Sequence, residues 1–230
     1  MQQASAAALP ERDQRTTVQH PRRLARLAML AVVGVVFLNA SAWLLPIVSE
    51  YSVIGDNISE LVLGRLGFVQ TAAFLVSGIG TLGLAFAIWK LTQGTWGARI
   101  GSLLIAIYGA GAIVAAIFPT DQIDNASDVW SQSTAGTIHI VAALISFLCV
   151  TAGMFILLRT FLLDARWRPH THWWLGLFPS AALALLFIQT EGPRVGLNQR
   201  LLVGVASVWL ILAAFHVREI IGSAEADRSP

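Results

Sequence analysis

Charge is scarce in this chain. Of its 230 residues only 12% are Asp, Glu, Lys or Arg, 56% are hydrophobic, and the mean hydropathy is +0.68. Soluble domains carry about 25% charge and about half apolar residues, so a water-soluble globule is excluded for want of anywhere to bury the surplus. Cysteine is nearly absent as well. The single copy, Cys149, rules out an internal disulfide or a thiolate metal cluster, and its place inside an apolar run makes it a packing residue. Acidic residues are missing from every long apolar run, which argues against a proton relay through the helix centres. There is no Gly-rich phosphate loop, no Ser nucleophile elbow and no His-Glu-x-x-His helix motif. Net charge is +2 and the basic residues are dispersed at the ends of the apolar runs. That pattern excludes the clustered, aromatic-interleaved footprint of a nucleic-acid binder.

What the chain has is long hydrophobic runs: 24–46, 66–91, 100–118, 137–158, 173–190 and 201–217. A helix needs about 20 mostly apolar residues to cross the hydrocarbon core. None of the runs shows the two-residue alternation of an outer-membrane barrel strand. The expected fold is therefore all-α, an integral membrane six-helix bundle spanning 24–221, with disordered cytoplasmic tails at 1–23 and 222–230.

Charge asymmetry sets the expected topology. With the N-terminus inside, Arg65, Arg194 and Arg200 are the only basic residues outside, and the other twelve of the fifteen fall in cytoplasmic segments. The positive-inside rule then places both termini in the cytoplasm. An Ala-, Arg- and Trp-rich composition points to a bacterial plasma membrane. Ala40-Ser41-Ala42 resembles a signal-peptidase site, and cleavage after Ala42 would leave five helices. Against cleavage, the apolar run continues through Trp43, Leu44, Leu45 and Ile47, and the charged leader is long. The sequons Asn57-Ile-Ser59 and Asn125-Ala-Ser127 are incidental in a bacterial protein. Gly97-Ala-Arg-Ile-Gly101 has the spacing that permits close helix contact.

A weak repeat runs through the even helices. Gly67 to Ser77 aligns with Gly136 to Ser146, setting Gln70 opposite His139, and Arg200 precedes Ser207 by the same seven residues. Seven residues is two turns, so each pair shares a helix face. Three similar hairpins would produce this pattern.

Polar chemistry gathers at the outer side. Glu50, Tyr51, Asp56, Asn57, Ser59 and Glu60 follow the first helix, and Asp121, Asp124 and Asp128 follow the third. Beside them stand His139, Gln189, Glu191, Arg194, Asn198, Gln199 and Arg200. His139 and Arg200 carry the most weight, because ionisable groups at helix depth are rare and costly. His139 is either a hydrogen-bonded packing residue or a general base oriented by Asp121 or Glu60. Arg200 either forks onto a phosphate or carboxylate or snorkels to the interface. His170, His172 and His216 lie on the cytoplasmic side, too far from His139 to share a metal with it. His170 and His172, with Trp167, Trp173 and Trp174, read as interfacial anchors.

Three short motifs carry a family resemblance: Tyr51 to Leu61 before the second helix, Phe118-Pro119-Thr120-Asp121 after the third, and Gly136-Thr-Ile-His139 opening the fourth. Over residues 25 to 220 the chain resembles the bacterial and archaeal six-helix family termed domain of unknown function 998. It is more distantly similar to eukaryotic DRAM-like membrane proteins. The resemblance implies a six-helix bundle and an outer polar cluster at Tyr51, Ser59, Glu60, Pro119, Asp121 and His139, and it implies no activity. Alkaline ceramidase-like hydrolases offer a similar Ser, Asp and His set, but they use three metal-binding histidines that this chain lacks in position.

The expected function is lipid binding or membrane organisation. The ligand would sit in an outer pocket lined by Ser59, Glu60, Asp121, His139 and Arg200, with Arg200 on the headgroup phosphate. The partners are membrane lipids and no nucleic acid; no cofactor or metal is expected, and oligomerisation stays open. Two rivals remain. One is a membrane enzyme acting on a lipid or polyprenyl headgroup, with His139 as base and Asp121 or Glu60 orienting it. The other is a small transporter.

Overall fold

The computed structural model describes residues 21–92, 95–123, 128, 131–186 and 192–226. The leader 1–20, Asp124, the 125–127 sequon, Gln189, Glu191 and the tail 227–230 lie outside them. Among the described residues the chain is helical with no strand: α1 Pro21–Leu44, α2 Gly67–Leu91, α3 Trp96–Ile117, α4 Thr134–Leu163, α5 Thr171–Leu186 and α6 Val195–Ala226. Short 3₁₀ turns at Leu45–Val48, Ile58–Leu63 and Arg168–His170 join them.

All helices but α5 are long and apolar enough to cross a membrane. The 16 described residues of α5 rise about 24 Å, short of the ~30 Å core. At the other extreme, α4 and α6 have 30 and 32 residues and extend beyond their apolar runs at both ends. Helix formation there needs no lipid, because polar side chains can face water while the apolar stripe still packs. The ends follow local chemistry. Thr95 and Ser133 cap α3 and α4 by accepting from the Ala98 and Gly136 amides, at 3.1 Å each. Pro46 and Pro119 stand just past α1 and α3, where an approaching proline disfavours helical backbone.

Each helix packs against its successor and α6 returns to α1, closing a ring. The Arg22–Glu225 ion pair at 3.4 Å joins the first turn of α1 to the last turn of α6. One end of the bundle, the terminal end, therefore carries both described termini; the other, the loop end, carries the 45–66 and 118–133 connections.

The α1–α2, α2–α3 and α3–α4 seams are built on glycine. Gly34 lies against the Ser77 backbone, Gly80 against Ala31, Gly78 and Gly109 against each other, and Gly101 against Leu157. Gly97 faces Thr160, so the Gly97–Gly101 spacing serves α3–α4 contact. In two hairpins a glycine of the odd helix meets the serine singled out by the repeat: Gly34 with Ser77 and Gly111 with Ser146. Gln70, His139, Arg200, Ser77, Ser146 and Ser207 are all buried, so the face that each pair shares is a buried one.

Around α5 aromatics replace glycines. Phe161 stacks on Trp167 with centroids 3.9 Å apart and planes 3° from parallel, and Trp174 and Trp209 pack beside it. The expectation of interfacial anchoring thus fails for Trp167 and Trp174, which are buried, while Trp173 is exposed. The turn after α4 folds back, held by Arg166 bridging Asp164 at 2.7 Å and the Leu91 carbonyl at 2.7 Å. This return carries Trp167 over Phe161 rather than toward the interface.

Candidate functional site

The loop end is assembled by one buried cation. Arg200, 1% exposed, sits in the second turn of α6. Its Nε donates to the Ala42 carbonyl at 3.1 Å, and its Nη1 donates to the carbonyls of Val53 and Asp56 at 2.9 and 2.8 Å. Two neighbours complete the strap: the Leu197 amide donates to Ile54 O at 3.1 Å, and the Ile58 amide donates to Gln199 Oε1 at 2.6 Å. Gly196 is required here, because a Cβ would stand 2.8 Å from the Asp56 carbonyl carbon. A cation near a helix N-terminus opposes the helix dipole; its three carbonyl partners supply the compensation.

Glu60 and Asp121 act first on the backbone. Glu60 Oε1 accepts from the Asn57 amide at 3.2 Å and from Asn57 Nδ2 at 2.7 Å, closing a capping box on the 3₁₀ turn. Asp121 Oδ2 accepts from the Ser133 amide at 2.6 Å, and Asp121 Oδ1 accepts from the Ser133 hydroxyl at 3.0 Å. Gly136 leaves room for this carboxylate, since a Cβ there would lie 3.0 Å from Asp121 Cγ. Ser133 thus caps α4 while Asp121 anchors Ser133. Ser133→Ala is expected to cost about 1 kcal/mol, typical for an N-cap, read as a lowered unfolding midpoint in detergent.

His139 hydrogen-bonds a backbone carbonyl: its Nδ1 lies 2.8 Å from Phe118 O, which can only accept, so Nδ1 carries the proton and donates. The ring ties the end of α3 to the start of α4. It also lines two adjoining cavities of about 50 and 80 Å³, together with Ser59, Gln199, Ala143 and Phe147. Tyr108 and Ser146 complete the first, Asn57 and Thr120 the second. One water occupies roughly 30 Å³ in the liquid, so the pair holds a few waters and no headgroup.

Across the 3₁₀ turn lies a wider groove of about 710 Å³. Glu50, Tyr51, Asp56, Glu60 and Arg65 supply its polar wall, and Leu45, Val48 and Leu66 its apolar one. The Tyr51 hydroxyl is held above its ordinary value, first by partial burial and then by the Glu60 and Asp56 charges. With three carboxylates and one guanidinium in its lining, the groove carries a net negative charge.

The five expected site residues do not share one cavity. Ser59 and His139 face the small cavities, Glu60 the groove, Asp121 the α4 cap, and Arg200 the strap. Adjacent residues of one 3₁₀ turn, Ser59 and Glu60, serve opposite sides of a wall. Tyr108 went unread in the sequence because a tyrosine in an apolar run has no distinguishing pattern. Gln199 was visible in the polar list, but nothing in its spacing foretold the Ile58 amide.

A family model described as "Protein of unknown function (DUF998)" matches residues 29–216. Comparison with curated proteins and with solved structures returns no match. The matched span takes in part or all of each of the helices α1 to α6 and the whole loop-end architecture. The chain is thus a multi-helix membrane protein that belongs to the DUF998 family.

Proposed function

We propose that this protein binds the headgroup of a zwitterionic membrane lipid in the groove at the loop end, and so organises lipid around the bundle. The observation that carries the reading is the two-sided lining of that groove. Glu50, Asp56 and Glu60 oppose Arg65, while Val48 and Leu66 present exposed apolar surface next to them. An ammonium meets the carboxylates, the phosphate meets Arg65, and the first acyl carbons lie along Val48 and Leu66. At about 710 Å³ the groove falls within the ~300–1,000 Å³ of small-ligand sites. Arg200 is left out of the phosphate role because its Nε and Nη1 already bond three carbonyls, its Nη2 is buried, and the residue does not line the groove.

The same reading takes α5 as a sixth span and groups the helices in three related hairpins. Arg22, Arg23, Arg26, Arg166, Arg168 and Arg218 crowd the terminal end, which supports cytoplasmic termini in a bacterial plasma membrane.

The test is native mass spectrometry of protein exchanged into nanodiscs holding equal phosphoethanolamine and phosphoglycerol lipid. Wild type retains the former preferentially. Glu50→Gln with Arg65→Ala lowers that retention about two- to thirtyfold, as loss of two exposed charge contacts of about 0.2–1 kcal/mol each implies. Equal retention of both lipids, or no change in the double variant, overturns the proposal. Binding is favoured over catalysis at His139, because a carbonyl orients the ring and the adjoining cavities hold only water-sized molecules.

A further inference from the structure

At the terminal end, three side chains from two distant stretches of the chain converge. His170 sits in the 3₁₀ turn before α5, and His216 and Glu219 lie one turn apart on α6. One ligand atom from each lies within 4.8 Å of the others. Glu219 Oε2 is 2.9 Å from His216 Nδ1 and 3.2 Å from His170 Nε2.

The protonation of His216 is set from its other side. Its Nε2 is 2.7 Å from the Arg166 carbonyl oxygen, which can only accept, so Nε2 carries a proton and donates it. In the neutral ring Nδ1 then presents a bare lone pair to a carboxylate oxygen at hydrogen-bond distance. Two such lone pairs repel unless a cation lies between them, either a second proton on the ring or a metal ion. A histidine that donates one nitrogen to a carbonyl and offers the other inward has the outer-shell arrangement of metal-ligating histidines.

The rest of the site suits a metal. His216 is only 6% exposed at its side chain and rests edge-on against Trp167, 4.9 Å between centroids, which fixes the ring. Tetrahedral ligands at ~2.0–2.1 Å from zinc stand about 3.3 Å apart, close to the 2.9 and 3.2 Å found here. Arg166, whose carbonyl accepts from His216, spends its guanidinium on Asp164 and the Leu91 carbonyl. Glu219 is 62% exposed at its side chain, so solvent can reach a fourth position.

We infer that His170, His216 and Glu219 bind a divalent transition cation of the zinc class through two imidazoles and one carboxylate, with a fourth position open to water. The ion staples the α4–α5 turn to α6. Two borderline nitrogen ligands select zinc-like ions over magnesium or calcium, which prefer all-oxygen shells.

Full-length protein without a polyhistidine tag, purified in detergent and stripped with chelator, is titrated with Zn²⁺ and separately with Co²⁺. One Zn²⁺ per chain after desalting, the strong visible bands of four-coordinate Co²⁺, and a raised melting temperature are expected. His170→Ala at a half-buried position and Glu219→Gln at an exposed one, both checked for a single size-exclusion peak, weaken Zn²⁺ binding at least about tenfold, on the scale set by loss of metal-site contacts. His172→Ala leaves it unchanged. Substoichiometric Zn²⁺ in the wild type means that a proton alone joins His216 to Glu219 and overturns the inference, as does wild-type affinity in both ligand variants.

Discussion

Arg200→Ala lowers the unfolding free energy by about 3–5 kcal/mol, the largest loss expected of any single polar substitution in this chain. Removing the guanidinium strips three carbonyls, those of Ala42, Val53 and Asp56, of their donors. Each buried orphan costs about 1–3 kcal/mol, and removing one partner from a buried charged network costs about 3–5. The contributions are not additive, since loosening the strap lets water reach the loop. Reversible denaturation in mixed micelles measures the loss. Limited proteolysis adds a positional readout: cleavage should appear first between Ser49 and Asp56. Arg200→Lys recovers only part, because an ammonium cannot span three carbonyls with a planar fork. If Arg200→Ala unfolds like wild type and its loop stays protected, the strap does not hold this end together.

The second large effect concerns the α1–α2 seam. Gly80→Ala would put a methyl 2.6 Å from the Leu30 carbonyl oxygen and 2.7 Å from Ala31 Cα; Gly34→Ala would put one 2.6 Å from Ser77 Cα. All of these neighbours are backbone, so no side-chain rotation relieves the clash and the helices must separate. Overpacking of this kind costs about 1–3 kcal/mol per site. Because both residues lie in one seam, the double variant is expected to depart from the sum. Gly176→Ala and Gly204→Ala are the controls. Nothing lies within 4 Å of either added methyl, so they are expected to be neutral or to stabilise by up to about 1 kcal/mol. Equal midpoints for Gly80→Ala and Gly176→Ala would contradict the close approach.

Much of the bundle was legible because lipid imposes a rule on residue type: a span must be apolar over its whole length. The helix centres therefore fell where the apolar runs lie. The ends did not, since α4 and α6 continue past their apolar runs, where capping and packing rather than that rule decide how far a helix extends. Trp167 and Trp174 show the same limit. Tryptophan suits both an interface and a core, and the fold-back at Asp164–Arg166 decides between them.

The polar residues divide likewise. That Gln70, His139 and Arg200 each share a helix face with a serine was readable from a seven-residue spacing; that this face is buried was not. Nor were their partners. Arg200 and His139 bond to main-chain carbonyls, and a carbonyl is the same in every residue. The expected site residues therefore gather at one end of the molecule but do not share one cavity.

From the sequence alone followed the apolar spans, the scarcity of charge between them, the gathering of acids near one set of loops and the family likeness. These depend on residue chemistry summed along one strand of chain. Only the tertiary structure decided that Ser59 and Glu60 face opposite sides of one turn, that Arg200 is a strap, and that His170 meets His216 and Glu219. Such meetings depend on helix rotation and on where the connecting turns fold back, which are set by packing across the ring.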